Sequence, residues 1–338
     1  MRFGLALPQY GFSLPSGEGG SWGAVRDWAQ RAEDLGFDSV WLSDHLFLDL
    51  ERYGGSTQRH GAIECLSGLA GLAVATSRVK IGALVVCNDL RPPTVVAKTA
   101  STIDVLSGGR LELGIGAGWY APDFEAAGVE FAPPGRRLRR LAEAVQVIRG
   151  MLSNETFTFD GRYYQVDEAH NIPRSSQSAR PRVWVGGKGD TTVSIAGRFA
   201  DGYNAVWAWT PEAFADRIRV LERTMAESGR APKEVARSVG LYALVAEDES
   251  AVDARFDRYL AASPIIPPAK TAADWGHDKL AGTPEQVVDR IKQFEALGVE
   301  EVILGVGMLP FQIAEAEAVD DFASLVFPEF KQANQSTK

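Results

Sequence analysis

Short apolar segments alternate with longer amphipathic segments along the whole chain, and this alternation limits the possible folds more than any other feature. Eight short segments are typical of strands, each followed by a helical pattern: 3–7, 39–42, 80–86, 111–115, 183–185, 202–206, 239–245 and 301–305. Such alternation predicts a parallel sheet, either a (β/α)8 barrel or an open doubly wound sheet. The open sheet requires a glycine-rich turn after the first strand, and residues 8–12 lack a GxGxxG motif. We therefore predict an α/β fold of the (β/α)8 TIM-barrel type, with a last helix at 312–327.

Two segments interrupt the alternation. Residues 157–164 combine two β-rich runs with an Asp-Gly turn, which predicts a hairpin. We interpret the residues near 153–181 as an insertion, and those near 263–282 as a Pro-rich loop. The prediction is a single barrel domain over 1–330, followed by a tail at 331–338.

Charge and composition argue against several classes of protein. The 338 residues carry a formal net charge of −9, whereas a nucleic-acid-binding protein would show a basic stripe. No run of about 18 apolar residues suggests a membrane span, and the apolar start at 1–7 is too short for a secretion signal. Cys65 and Cys87 lie in apolar segments, which predicts buried thiols and a cytoplasmic protein. Because CxxC and HExxH spacings are absent, we predict no metal site.

The second predicted strand ends at a candidate catalytic pair. Active sites of (β/α)8 barrels lie at the carboxyl ends of the strands, and Asp44 and His45 follow the strand at 39–42. A histidine in this place can transfer a proton near neutral pH. It can also be a half-buried structural residue beside an aspartate that caps a loop, and the sequence alone leaves both interpretations open.

Two glycine-rich turns are further candidates. Gly114, Gly116 and Gly118 could let a flat ligand approach the backbone closely, or they could be the small residues of a tight barrel interior. Residues 186–189 precede a predicted helix and include Lys188. Such a turn can hold a phosphate at the helix N-terminus, or it can be a plain turn.

Other unusual residues have structural interpretations. Trp207 and Trp209 could line a pocket or pack in the core or at its edge. Four arginines of one helical segment are expected to form a solvated helix face: Arg136, Arg137, Arg139 and Arg140.

Several motifs occur in a characteristic order along the chain. They are Ser43-Asp44-His45, the LSGGRLELGIGAGW segment at 106–119, RVWVGG at 182–187 and RFADGYN at 198–204. This ordered set resembles the bacterial-luciferase-like (LLM class) oxidoreductases, and within them the branch that uses the deazaflavin coenzyme F420. The resemblance runs from Arg2 to about Phe327. It implies a (β/α)8 barrel with an inserted segment, often a homodimer, with the cofactor ring in the barrel mouth.

The resemblance also implies roles for individual residues. Asp44 would hydrogen-bond the deazaflavin ring, and His45 would lie beside its reactive carbon as the catalytic residue. Leu84 and Val85 would form a bulge behind the ring, often with a non-prolyl cis peptide bond. The remaining expected cofactor contacts are Asn88, Ala117 and Gly118 at the ring edge, and Gly186, Gly187, Lys188 and Gly189 at the phosphate.

One position departs from the pattern of the branch that oxidises glucose 6-phosphate. Trp119 stands where that branch has an acidic glutamate, which argues against a sugar-phosphate substrate. Trp119 and Tyr120 instead suggest an apolar substrate face.

Three functions are compatible with these features. We favour an F420-dependent oxidoreductase that transfers hydride between the coenzyme and an unidentified small organic substrate. The first alternative is an FMN-dependent luciferase-like monooxygenase that uses molecular oxygen. The second is a non-catalytic barrel that only binds a cofactor.

Overall fold

Eight parallel strands close into a barrel in the computed structural model, which describes residues 1–174 and 180–331. In chain order the barrel strands are β1 (Arg2–Ala6), β2 (Ser39–Leu42), β3 (Lys80–Cys87), β4 (Leu111–Gly116), β5 (Arg182–Gly186), β6 (Gly202–Ala205), β7 (Ala236–Val245) and β8 (Glu301–Gly305). Each strand pairs with its neighbours in this order, and β1 pairs with β8, with Gly4 opposite Ile303. The predicted (β/α)8 barrel is confirmed.

Helices surround the barrel and alternate with its strands. The longer ones are Trp22–Leu35, Cys65–Ala75, Pro93–Leu106, Pro134–Ser153, Asp190–Phe199, Pro211–Glu227, Glu249–Ala261, Pro284–Ala296 and Ala316–Lys331. Shorter helical segments are Glu51–Tyr53, Asn88–Leu90, Ala121–Ala126, Pro232–Glu234 and Ala272–Gly276. Within residues 1–174 and 180–331, no helix has both the length and the hydrophobicity needed to cross a bilayer.

Local capping interactions explain where several helices begin and end. The hydroxyl of Ser21 accepts a hydrogen bond from the amide of Ala24 at 3.1 Å, and Gly36 ends the same helix in the left-handed conformation. Thr283 and Gln286 form a capping box at the start of helix Pro284–Ala296. These boundaries depend on neighbouring residues, which is why the sequence predicts them well.

Two predicted segments differ from the structure. The last helix begins at Ala316 instead of residue 312, because the buried side chain of Gln312 accepts hydrogen bonds from the amides of Met308 and Leu309 and holds a turn there. The Pro-rich segment at 263–282 is not loop throughout, since it contains helix Ala272–Gly276 and strand Leu280–Gly282, which pairs with β7. Of the predicted tail, residues 332–338 lie outside the described residues.

The predicted hairpin is present between helix Pro134–Ser153 and β5. Strand Thr156–Asp160 pairs in antiparallel fashion with Gln165–His170. The carboxylate of Glu143, on the preceding helix, accepts hydrogen bonds from the amides of Tyr163 at 2.8 Å and Tyr164 at 3.1 Å. These bonds fix the hairpin turn against this helix. Two-residue strands at Phe47–Leu48 and His60–Gly61 form a second, unpredicted hairpin after β2.

The barrel interior is filled by two tryptophans. Trp41 and Trp184 are almost completely buried. Glycines on neighbouring strands make room for them, since a Cβ atom on Gly82 would lie 2.3 Å from the Trp41 ring and one on Gly202 would lie 2.1 Å from the Trp184 ring. The barrel interior is therefore closely packed around these two side chains.

Buried charges close the amino-terminal end of the barrel. Glu112 is buried and forms ion pairs with Lys80 at 2.5 Å and Arg182 at 2.8 Å, and its other oxygen accepts a hydrogen bond from the Trp184 indole. Burial by itself would raise the pKa of Glu112, but the hydrogen bonds and charges of Arg182 and Lys80 outweigh burial and lower the pKa. The carboxylate therefore stabilises the folded state in its ionised form.

We expect Glu112→Gln to lower the free energy of unfolding by about 3 kcal/mol at neutral pH, because two partly buried cations would lose their partner. A carboxylate whose pKa is lowered by folding stabilises the protein above its unfolded-state pKa, and this contribution is lost as pH falls through the folded-state pKa. The difference in the free energy of unfolding between wild type and Glu112→Gln should therefore become smaller as the pH is lowered. Urea unfolding at a series of pH values measures it. Glu300→Gln, at a half-exposed neighbour, is the control and should change stability by about 0.5 kcal/mol or less.

Candidate active site

A cavity of about 320 Å³ opens at the carboxyl ends of strands β2 to β6, within the size range of small-molecule sites. Ten of the thirteen residues singled out from the sequence line it: Asp44, His45, Leu84, Val85, Ala117, Gly118, Trp119, Tyr120, Gly186 and Gly187. The other lining residues are Ser43, Val86, Cys87, Gly116, Asp123, Phe124, Pro134, Arg137, Leu138, Thr192, Asn204 and Val206. The strand ends thus bring together residues that are far apart in the chain.

The cavity lining does not include Asn88, Lys188 or Gly189. Asn88 is buried, and its side-chain amide donates hydrogen bonds to Asp89 at 2.8 Å and to the Tyr164 hydroxyl at 3.2 Å. The ammonium group of Lys188 lies 5.2 Å from the centre of the Trp209 ring. Burial, followed by the charge of Arg52, lowers the pKa of Lys188. Gly189 caps helix Asp190–Phe199.

Asp44 is held by a buried ion pair. Its carboxylate accepts two hydrogen bonds from the guanidinium of Arg91, at 2.6 and 3.0 Å, and one from the amide of Cys87 at 2.8 Å. Arg91 also pairs with Glu64 at 2.5 Å. Burial by itself would lower the pKa of Arg91, but the hydrogen bond and charge of Asp44 and the charge of Glu64 raise it, so Arg91 stays charged. The sequence analysis missed Arg91, although its position after β3 placed it at the same end of the barrel.

His45 is oriented by an aspartate that the sequence analysis did not identify. Nδ1 of His45 lies 2.6 Å from Oδ2 of Asp123, and Oδ1 of Asp123 accepts a hydrogen bond from the amide of Leu46 at 3.0 Å. An ionised carboxylate accepts hydrogen bonds, so the geometry assigns a proton to Nδ1 and leaves Nε2 as the second, unpaired ring nitrogen. No described residue hydrogen-bonds Nε2. This arrangement suits a histidine that takes up or releases a proton at Nε2.

Aromatic rings surround this histidine. The rings of Trp119 and Tyr120 meet the His45 ring in T-shaped arrangements, at centroid distances of 5.4 and 5.6 Å. Trp119 is 43% exposed and carries the guanidinium of Arg52 over its ring at 4.3 Å. The Tyr120 hydroxyl donates a hydrogen bond to Asp49, and burial followed by this bond raises the pKa of Tyr120 to about 12. Tyr120 is therefore neutral and fixed in place at physiological pH.

The side chain of Val85 packs closely against three glycines near the cavity. A Cβ atom on Gly114, Gly116 or Gly186 would lie 2.7 to 2.8 Å from a methyl group of Val85. A Cβ atom on Gly114 would also lie 2.2 Å from the carbonyl oxygen of Ala83. This packing supports the interpretation of Gly114 and Gly116 as small residues of a tight barrel interior, while Gly116 also lines the cavity. The Leu84–Val85 peptide bond is cis, and the β3–β4 register shifts between Ala83 and Val86. Both features were implied by the resemblance and are confirmed.

Arg137 contradicts the expectation of a solvated arginine face. It is 7% exposed, its guanidinium lies 4.0 Å from the centre of the Phe131 ring, and its Nε has no hydrogen-bond partner among the described residues. The ion pairs of residues 1–174 and 180–331 include none for Arg137, whereas Arg140 pairs with Asp89. The helix turns this one arginine into the cavity. A buried cation without a carboxylate is a candidate anion-binding group.

The turn after β5 offers fewer free amides than expected. The amide of Gly187 donates a hydrogen bond to the carbonyl of Asn204 at 3.1 Å, and the Gly187 carbonyl accepts one from Tyr203 at 2.9 Å. Thr192, in the first turns of helix Asp190–Phe199, faces the cavity.

Among the described residues, no group of three or more His, Cys, Asp or Glu side chains is arranged to hold a metal ion.

The closed barrel and the titratable groups at its mouth define a (β/α)8-barrel protein with an enzyme-like site. Residues 1–301 match the luciferase-like monooxygenase family, and the chain belongs to this family. It is 35% identical to an F420-dependent glucose-6-phosphate dehydrogenase of Kineococcus radiotolerans over 228 residues, which are 67% of this chain and 65% of that protein.

Two further comparisons extend this result. An FMNH2-dependent dimethylsulfone monooxygenase of Pseudomonas fluorescens is 29% identical, covering 90% of this chain and 85% of that protein. The solved structure of a coenzyme F420-dependent tetrahydromethanopterin reductase from Methanopyrus kandleri has the same fold, with a TM-score of 0.71, 23% identity and coverage of 97% and 99% of the two chains. The chain thus belongs to a family that has both F420-dependent and FMNH2-dependent members.

The packing around Val85 generates a prediction for stability. We expect Gly116→Ala to lower the free energy of unfolding by about 1–3 kcal/mol, because the new methyl group overlaps Val85. Combining it with Val85→Ala should recover part of the loss, and chemical denaturation of the four proteins measures this coupling. Gly189→Ala is the control, since a Cβ atom there meets nothing within 4 Å. Equal losses with and without Val85→Ala would contradict the packing interpretation.

Proposed function

We propose that the protein is an F420-dependent oxidoreductase that transfers a hydride between the coenzyme and a small organic substrate. The observation that carries the proposal is the His45–Asp123 pair, a proton-transfer group in the wall of a cavity suited to a small ligand. A hydride transfer that interconverts an alcohol and a carbonyl compound needs such a group for the accompanying proton. The similarity to an F420-dependent dehydrogenase supports the choice of cofactor.

The residues of the cavity suit a flat ring with an anionic tail. Leu84 and Val85 supply apolar surface for the ring in the cavity that Asp44 and His45 also line. The guanidinium of Arg137 and the helix that carries Thr192 line the same cavity and supply positive potential for a phosphate. We infer that the ring binds beside His45 and that the phosphate binds near Arg137.

The other predicted cofactor contacts are assigned by their positions. Ala117, Gly118, Gly186 and Gly187 shape the cavity wall. Asn88, Lys188 and Gly189 lie outside the lining, so we place Lys188 and Gly189 beside the tail at most, and Asn88 behind the wall.

The chain's own residues handle the proton. When bound, the deazaflavin supplies the hydride acceptor or donor. Asp123 holds the Nδ1 proton of His45, so that Nε2 receives the proton of a substrate hydroxyl or returns one to a carbonyl oxygen. The hydrogen bonds of Arg91 hold the Asp44 carboxylate in place. The rings of Trp119 and Tyr120 lie beside His45 in the same cavity.

An FMN-dependent monooxygenase is the second candidate. It is favoured by the FMNH2-dependent relative, whose match covers 90% of the chain. The two functions differ in the cofactor and in the use of molecular oxygen. A cytoplasmic homodimer that acts on a small molecule, without a nucleic-acid or membrane partner, stays a prediction under either function.

Titration of the purified protein with F420 and with FMN, followed by absorption spectra, tests the choice. We expect F420 to bind with a dissociation constant in the micromolar range. The dissociation constant for FMN should be at least about tenfold higher. The opposite order, together with oxygen consumption in the presence of reduced FMN, would establish the monooxygenase instead.

The proton-transfer role predicts the effect of two substitutions. Asp123→Asn and His45→Gln should each lower turnover about 10²-fold while the affinity for F420 stays close to wild type. Because the two residues act as a unit, the double variant should lose little more than either single variant. Steady-state kinetics across pH measures this, and Glu125→Gln, an exposed position on the same short helix, is the control. Unchanged turnover of His45→Gln would support the non-catalytic alternative.

The assignment of the phosphate predicts a binding defect. Arg137→Gln should weaken cofactor affinity about 10- to 100-fold, since hydrogen bonds to charged groups contribute about 1.5–3 kcal/mol. Arg136→Gln, which removes an exposed arginine of the same helix, should leave the affinity unchanged. Fluorescence titration measures both, and equal affinities for the two variants would place the phosphate elsewhere.

A further inference from the structure

The turn after β1 contains a glutamine that is completely buried. Gln9 is the third residue beyond the end of β1, in the turn at 8–12 that lacks a glycine-rich motif. Its side chain has no exposed surface, and it is not among the residues that line the cavity. A buried amide needs hydrogen-bond partners inside the protein, so the contacts of Gln9 show what this side chain holds.

Both polar atoms of the Gln9 side chain bind the backbone of Ser43. Oε1 of Gln9 accepts a hydrogen bond from the amide of Ser43 at 2.5 Å, and Nε2 donates one to the carbonyl of Ser43 at 2.9 Å. The hydroxyl of Tyr10, the next residue, is hydrogen-bonded to Oγ of Ser43. We call these three residues, Gln9, Tyr10 and Ser43, the Ser43 clamp.

The Ser43 clamp replaces a hydrogen bond of the barrel sheet. The amide of Leu7 donates to the carbonyl of Trp41 at 3.0 Å, which continues the pairing of β1 with β2. In a continued parallel ladder the Ser43 amide would donate to the Leu7 carbonyl. That carbonyl instead accepts a hydrogen bond from the amide of Gln9 at 2.9 Å, and the Gln9 side chain binds Ser43. The chain thus leaves β2 after Leu42 while Ser43 stays tied to the barrel.

The candidate catalytic pair begins directly after the Ser43 clamp. Asp44 and His45 follow Ser43 in the chain, and all three residues line the cavity. Arg91 binds the carboxylate of Asp44, and Asp123 binds the ring of His45, so these two contacts act on side chains. The Ser43 clamp acts on the backbone that carries them. A displacement of about 1 Å at a catalytic group can cost about 10²-fold in rate, so the backbone needs its own support.

We propose that Gln9 is a positioning residue, which fixes the backbone at Ser43 so that the His45 ring reaches Asp123 and keeps its proton on Nδ1. The use of this histidine in catalysis rests on the proposed function, but the placement of its ring does not. The contact requires an amide, because a carboxylate has no donor for the Ser43 carbonyl and a thioether supplies no donor either. Since Gln9 has no exposed surface, water does not replace the lost hydrogen bonds.

Nuclear magnetic resonance of the Nδ1 proton of His45, in the protein without cofactor, tests the proposal. A proton held between an imidazole and a carboxylate exchanges slowly with water and gives a separate signal, which His45→Gln assigns by its loss. Gln9→Met has a similar volume and lacks the amide. We expect it to lower the intensity of the His45 signal about fivefold or more at neutral pH, the effect of about one lost hydrogen bond on ring placement.

Gln9→Glu should restore the same contacts in acid. A protonated carboxyl group has one donor and one acceptor and can form both hydrogen bonds to Ser43, whereas the ionised form cannot donate. Burial raises the pKa of a carboxyl group, so the protonated form extends to higher pH here than in water. Relative to wild type at the same pH, the His45 signal of Gln9→Glu should be close to normal at about pH 5 and about fivefold weaker at about pH 8.

Gln312→Met is the matched control. Gln312 is also a completely buried glutamine, and its Oε1 accepts hydrogen bonds from the amides of Met308 and Leu309 in the loop after β8. The control should lower the free energy of unfolding as Gln9→Met does, because it also removes buried hydrogen bonds. The His45 signal should stay at wild-type intensity, since the loop after β8 does not hold Ser43.

Four results would overturn the proposal. They are the absence of the His45 signal in wild type, a wild-type signal in Gln9→Met, an equal loss in Gln312→Met, or the same relative signal of Gln9→Glu at both pH values. Titration of the wild-type protein with F420 separates this test from that of the proposed function. If F420 does not bind, the proposed function fails, and the His45 signal still decides whether Gln9 positions the ring.

Discussion

The closure of eight parallel strands into one ring is the constraint on which the rest of this structure depends. Because the strands are parallel, all their amino ends meet at one rim of the barrel and all their carboxyl ends at the other. The pairing of β1 with β8 completes the ring. It separates the buried charges into two groups, with Glu112 and its cations at one end and Asp44 with Arg91 at the other.

The two ends use buried charge for different purposes. At the amino end, Glu112 is surrounded by Lys80, Arg182 and the Trp184 indole, so its hydrogen-bonding capacity is filled from within the protein. At the carboxyl end, Asp44 is paired with Arg91, and no described residue forms a hydrogen bond with Nε2 of His45. A histidine nitrogen that is free to exchange a proton suits the carboxyl end to the function proposed above.

Residues of the candidate site were predictable from the sequence where they come at the carboxyl end of a predicted strand. Asp44 and His45 were found because they follow β2 directly, and the resemblance placed the Leu84–Val85 bulge correctly. Asp123 was missed because it is 78 residues from His45 in the chain, and nothing in its local sequence indicates that the two meet. Arg137 was misassigned because four arginines within five residues look alike until packing turns one of them inward.

The sequence by itself determined the strands, most helix boundaries and the barrel, because hydrophobic periodicity and end-capping depend on neighbours within a few residues. The tertiary structure decided which polar side chains are paired and which stay free. It made Gly116 and Gly186 the space for Val85. Such outcomes depend on contacts between segments that only the closed barrel brings together, and a pattern of local periodicity carries no information about them.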